Sequence, residues 1–163
     1  MMNSIVIRPL AVLALAISPF LGACADESPA GPDVSMSVVA GEYEAGGSFG
    51  ALTFRTTEGN EQIDWRAAGA ILTLDLSASG TVTGRLHIPV VAGHEDYFEA
   101  EDVERGYMEA DMAGTWTLAN GVVRFEQDAD SFIRDLEFTY NDGVLAAEKT
   151  FDGVAVTVVL VQQ

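Results

Sequence analysis

The chain has 163 residues, 25 acidic against 8 basic side chains, a formal charge of −17 and a single cysteine. That length suits one domain with a proper core, the charge repels nucleic acid and anionic lipid head groups, and one cysteine excludes an internal disulfide framework. Solubility alone is sufficient reason for so acidic a surface, which also suits cations or basic partners.

In chain order, Met1 to Arg8 form a short segment with one positive charge, and Leu10 to Leu21 form an apolar run interrupted by Pro19. That run is about 12 residues, whereas a transmembrane helix needs roughly 20. A buried helix would need a polar face, and residues 10–17 have none. The pattern predicts an export leader. Leu21-Gly22-Ala23-Cys24, which follows it, resembles the lipobox of a bacterial lipoprotein signal peptide. The resemblance implies that residues 1–23 are removed, that Cys24 becomes the lipidation site, palmitate included, and that the protein is membrane-anchored outside the cytoplasm. Ala25 stands where an aspartate marks inner-membrane retention in enteric members of that family, which points to the outer membrane or cell surface. Acylation also removes a free thiol, and several acyl chains hold firmly where one binds only marginally. Losing Arg8 with the leader takes the charge from −17 to −18.

Residues 24–40 carry two prolines after the cysteine, small side chains and acids, and are predicted to be a flexible tether. Residues 41–163 then show short alternating segments divided by turn signals. Two strands are expected near Glu42–Ala45 and Ala51–Thr56. Leu72, Leu74 and Leu76 alternate with Thr73 and Asp75, and after Ser-Ala-Ser-Gly, Val82, Gly84, Leu86 and Ile88 alternate with Thr83, Arg85 and His87. Leu74 is therefore expected to face the core and Thr73 the solvent. Trp116 and Leu118, then Val123 and Phe125, flank Ala-Asn-Gly at 119–121, and Asn-Gly is the strongest short hairpin signal. Leu136, Phe138 and Tyr140 lead through Asn141-Asp142-Gly143 into Val144–Thr150, and Asp152-Gly153 leads into Val154–Val161, which is apolar on both faces and so central or covered.

This spacing predicts an all-β fold of about 8–9 strands, an antiparallel up-and-down meander barrel, because closure removes sticky edges. A two-sheet β-sandwich is the alternative. Two stretches break the pattern. One is the connection 57–69 holding Trp65. The other is the acidic run 89–111, with eight acids opposed by Arg105 alone and with Tyr97, Phe98 and Tyr107 inside it. Such a run repels itself, yet three aromatics imply that it rests partly on the barrel. A turn of helix at Glu99–Glu109 would put Val103 and Tyr107 on one face.

A meander beginning Gly41-Glu42-Tyr43 resembles the calycin or lipocalin-like architecture over residues 41–163. The segments GTVTGRL (80–86), GTWTL (114–118) and Phe-Ile-Arg-Asp (132–135) are similar to those of small lipocalin-like bacterial lipoproteins. The resemblance implies a barrel able to enclose a ligand.

Catalytic and metal chemistry find little support. There is no His-x-Glu or Cys-x-x-Cys for zinc, no Gly-x-Ser-x-Gly elbow and no phosphate-cradling glycine loop. His94, Glu95 and Asp96 are the candidates for a divalent cation, with Asp128, Asp130 and Asp135 a similar acidic grouping. His87 reads as a surface residue. Arg134 and Asp135, beside Phe132 and Ile133, read as closing one barrel end, with Arg134 pairing an acid or stacking on Trp65. No cofactor and no enzymatic activity are expected. Two functions remain open. Either the barrel holds a small apolar ligand lined by Leu74, Leu86, Trp116, Phe125, Phe138 and Tyr140, or those bulky side chains fill it, leaving a monomeric interaction module that meets partners or cations through its acidic loops.

Overall fold

The computed structural model describes residues 34–56, 61–127, 129 and 131–163. The leader, Cys24, the tether up to residue 33, Asp128 and Asp130 lie outside the described residues.

A short helix, α1 (Met36–Val39), precedes β1 (Gly41–Glu44), β2 (Ala51–Thr56), β3 (Gln62–Asp64), β4 (Ile71–Leu76) and β5 (Thr81–Pro89). Helix α2 (Ala100–Arg105) lies in the connection to β6 (Tyr107–Ala119), and β7 (Val122–Gln127), β8 (Glu137–Asn141), β9 (Val144–Phe151) and β10 (Val154–Gln162) complete the chain. Three two-residue hairpins punctuate the second half, at Asn120-Gly121, Asp142-Gly143 and Asp152-Gly153, and all six residues have positive φ. Asn, Asp and Gly tolerate that backbone, and its twist matches the flanking strands.

The strands run β1-β4-β5-β6-β7-β8-β9-β10, all antiparallel, and β10 returns to β1 through Tyr43 opposite Gln162 and Glu44 opposite Val161. That last pairing closes an eight-stranded barrel and removes the free edges a sandwich would keep. Strands β2 and β3 are the continuations of β1 and β4. Along one edge of β10, Glu44 faces Val161 and Ala51 faces Val159, with residues 45–50 looped out between them. Residues 65–70 loop out between β3 and β4 in the same way. The Arg66 guanidinium laces the two excursions together by donating to the carbonyls of Gly50 and, at 2.7 Å, Gly47.

Alternation places one continuous core inside the ring. Leu72, Leu74, Leu76, Leu86, Ile88, Met112, Val123, Phe138, Leu145, Val158 and Leu160 are all 2% exposed or less. Each such side chain contributes about 1.5–3 kcal/mol on burial. Thr73, between two buried leucines, is only half-buried, as the alternation requires. Gly114 and Gly84 sit where barrel walls approach closely. A Cβ on Gly114 would strike the Glu126 carbonyl, and one on Gly84 the Thr73 carbonyl. β10 is central, flanked by β9 on one edge and by β2 and β1 on the other.

Four expectations need correction. Residues 34–40 are folded rather than tether, because Val39 is fully buried against the barrel and Tyr43 donates its hydroxyl to the Val39 carbonyl at 2.5 Å. The acidic run 89–111 is shorter as a loop: Pro89 ends β5, and Tyr107 to Asp111 pair with it, Asp111 opposite Arg85 and Glu109 opposite His87. Their charges masked an alternation in which Met108, Ala110 and Met112 turn inward. The connection 57–69 contains β3, too short to register as a strand in the sequence. The helical turn is Ala100–Arg105 alone, leaving Val103 exposed and Tyr107 on a strand.

Candidate functional site

The six positions named for ligand lining come together, but as packing. Leu74, Leu86, Trp116, Phe125 and Phe138 are buried in one cluster, with the Phe125 and Phe138 rings edge-on at 5.4 Å. Tyr140 is half-buried at the α1 end, where its hydroxyl donates to Val38 O at 3.5 Å.

The opposite end is built differently. Phe54 on β2 meets Trp65 at 5.5 Å, Tyr97 at 6.0 Å and Phe132 at 5.5 Å, each edge to face. Trp65, just past β3, is also met by His94 at 6.4 Å, Tyr97 at 6.4 Å and Phe98 at 5.4 Å. Alternation explains the placement. Leu52, Phe54 and Ile63 point inward along β2 and β3, and Trp65 continues that face with its backbone N–H on the Leu52 carbonyl. The loop 90–106 supplies the covering rings, and the 3-10 turn Phe132–Asp135 supplies Phe132 and the fully buried Ile133. Trp65 is completely buried, and its indole N–H has no acceptor among the described residues. Such a donor costs about 1–3 kcal/mol when left unmade.

The covering loop is a flap with its own internal bonding. Val90 N–H bonds Gly106 O at 2.9 Å across its base, and its other backbone bonds, such as His94 to Val91 and Phe98 to Glu95, stay within it. Among the described residues, only side chains fix it to the barrel: Val91, Tyr97 and Phe98 against the core, and His94 Nε2 at 3.8 Å from Glu61 Oε1.

The cation candidates diverge. His94 turns to Trp65 and Glu61, while Glu95 accepts from the Gly93 N–H at 2.9 Å. The Glu95 backbone N–H, and after it that bond, hold the Glu95 carboxyl below the usual range. No group of three His, Cys, Asp or Glu among the described residues is placed to hold a metal. His87 lies on the outer wall against Tyr107 at 5.1 Å. Arg134 Nε lies 3.9 Å from Asp135, and from the same turn Phe132 reaches Phe54 while Ile133 is fully buried. On the outer wall, Glu42, Glu44, Thr73, Asp75 and Thr83 line a shallow groove of about 380 Å³. Phe49, 81% exposed, stands at the tip of the excursion that Arg66 clamps.

Sequence reasoning noted Trp65, Tyr97 and Phe98 but not that Trp65 and Tyr97 meet Phe54 and Phe98 meets Trp65. Their shared aromatic character, in the two stretches lacking strand period, was the available signal. No protein-family model, curated protein or solved structure matches this chain.

Proposed function

We propose that the protein is a lipid-anchored module of the cell envelope that acts by binding rather than catalysis. Its barrel is a filled scaffold that presents outer-wall turns and acidic loops to a basic partner. The observation that carries this reading is the interior itself. The positions that would line a calyx are large side chains packed on one another, 0 to 3% exposed from Leu74 through Phe138. An eight-stranded barrel is just wide enough to be filled in this way. The acidic outer groove and the exposed Phe49 on its clamped turn support recognition from outside. The apolar run followed by Leu21-Gly22-Ala23-Cys24 supports the tether and a mature chain facing away from the cytoplasm.

Leu86→Trp tests the filled interior. It should cost about 1–3 kcal/mol by overpacking, whereas a hollow barrel would accept it without loss of melting temperature. Cys24→Ser tests the tether and should abolish incorporation of labelled palmitate; undiminished labelling would refute it.

A further inference from the structure

We propose that the aromatic end of the barrel, beneath the flap 90–106, is a binding site for a neutral planar compound carrying a hydrogen-bond acceptor, such as an aromatic carbonyl. This goes beyond the scaffold reading, which assigns no ligand to this end of the core. Four features of the molecule converge on it.

The first is the orphan donor. Trp65 Nε1 is sealed from solvent without an acceptor among the described residues, while Trp116, 2% exposed, donates to Ser77 O at 2.9 Å. A ligand oxygen is what the Trp65 group lacks. The second is ring geometry. Phe54, Tyr97, Phe98 and Phe132 meet one another or Trp65 at 62–88°, edge to face, and Tyr97 is tilted at 42° to His94. A flat ligand offers the faces and edges such rings prefer and can replace Tyr97 and Phe98 without breaking a backbone bond. The third is the flap's attachment, by side chains alone, with Val90 to Gly106 as its base and Gly106 in the left-handed region at φ +85°. It can swing out while keeping its internal bonds. The fourth is charge. Glu95, Asp96, Glu99, Glu101, Asp102 and Glu104 stand on the flap against Arg105, which is itself held by Asp102 at 3.0 Å. That field rejects anions, so the acceptor belongs to a neutral molecule. In the closed state Tyr97 and Phe98 act as placeholders, so apparent affinity carries the cost of displacing them.

The test uses the intact ¹⁵N-labelled chain titrated with coumarin, and with naphthalene as the two-ring probe lacking a carbonyl. The chain has two tryptophans, hence two indole N–H resonances. Coumarin should bind saturably, about tenfold tighter than naphthalene, and shift the Trp65 indole resonance downfield while leaving that of Trp116 in place. Trp65→Phe should abolish the preference for coumarin. Phe98→Ala should raise the affinity for both probes by removing a placeholder. Absence of saturable binding overturns the proposal. Equal affinity for the two probes, or coumarin binding that leaves the Trp65 resonance unmoved, overturns the acceptor requirement and with it the proposed ligand class.

Discussion

The two ends of this barrel are closed by different physics. At the α1 end the polar groups are paired. Trp116 donates to Ser77 O, Tyr43 to Val39 O, Gln162 Nε2 to Ala40 O at 3.1 Å, and the last two backbone N–H groups to Gly143 and Glu42. Removing the Val39 carbonyl's donor strands a buried polar atom, and the other bonds fix the same strand ends, so that end has one geometry. At the flap end, ring edges do the closing and the tryptophan donor is left over among the described residues. Ring contacts are worth about 0.5–1.5 kcal/mol each and can be re-formed with other rings. The difference teaches where this molecule can change without unfolding. Low local cost of opening belongs to the end held by side chains alone.

The sharpest way to break the comparison is a matched pair of substitutions. Trp116→Phe should lose about 2–3 kcal/mol in denaturant unfolding, because it shrinks a core side chain and strips the Ser77 carbonyl of its donor. Trp65→Phe shrinks a core side chain too, but it removes a buried donor that has no partner among the described residues, which offsets much of that cost, and should lose under about 1 kcal/mol. Equal losses would mean that the ends are energetically alike. Replacing residues 95–105 by a short Gly-Ser linker comes next. It should lower stability by about 2 kcal/mol through exposure of the aromatic end and leave a single cooperative transition. A chain that fails to fold would make the flap integral to the barrel.

The smallest effect sharpens the α1 end. Burial, with the Tyr140 phenol nearby, pushes the Tyr43 hydroxyl above its ordinary value of 10.0. Below about pH 10 both folded and unfolded chains keep this proton and the contribution to stability is complete. Above it the unfolded chain ionises while the folded one does not, so stability falls as pH rises toward the folded-state value. Tyr43→Phe should cost about 1 kcal/mol at pH 7 by deleting the bond to Val39 O, and it should flatten the alkaline decline. A variant with the same alkaline slope as the parent would show that this phenol is not the group responsible.

What could be read in the sequence follows from how local each signal is. Asn120-Gly121, Asp142-Gly143 and Asp152-Gly153 announce their turns because the residue types carry the backbone geometry. Strands such as Ile71–Leu76 announce their faces because side chains alternate strictly, and a row of leucines every second residue can face only a core. From these the meander, the barrel class and the register of Leu74 follow. The short pieces were hidden. Four residues of α1 and three of β3 hold no period, and Glu109 and Asp111 made a strand resemble an acidic loop.

The candidate site lay beyond the sequence for a different reason. Phe54, Trp65, Tyr97 and Phe132 are separated along the chain by up to 78 positions, and no local pattern links them. Their meeting requires the closure of β10 on β1 and the placing of β2 and β3 beyond it. Whether the interior is hollow was likewise undetermined by composition, because the same leucines and aromatics line a cavity or fill it according to the ring's width. The sequence alone determined an all-β chain and where its turns and inward faces lie, since those are properties of neighbouring residues. Only the tertiary structure decided that the barrel is packed, that among the described residues one tryptophan donor is satisfied and the other is not, and that the acidic loop ends in a flap over aromatic rings, since those depend on contacts between residues far apart in the chain.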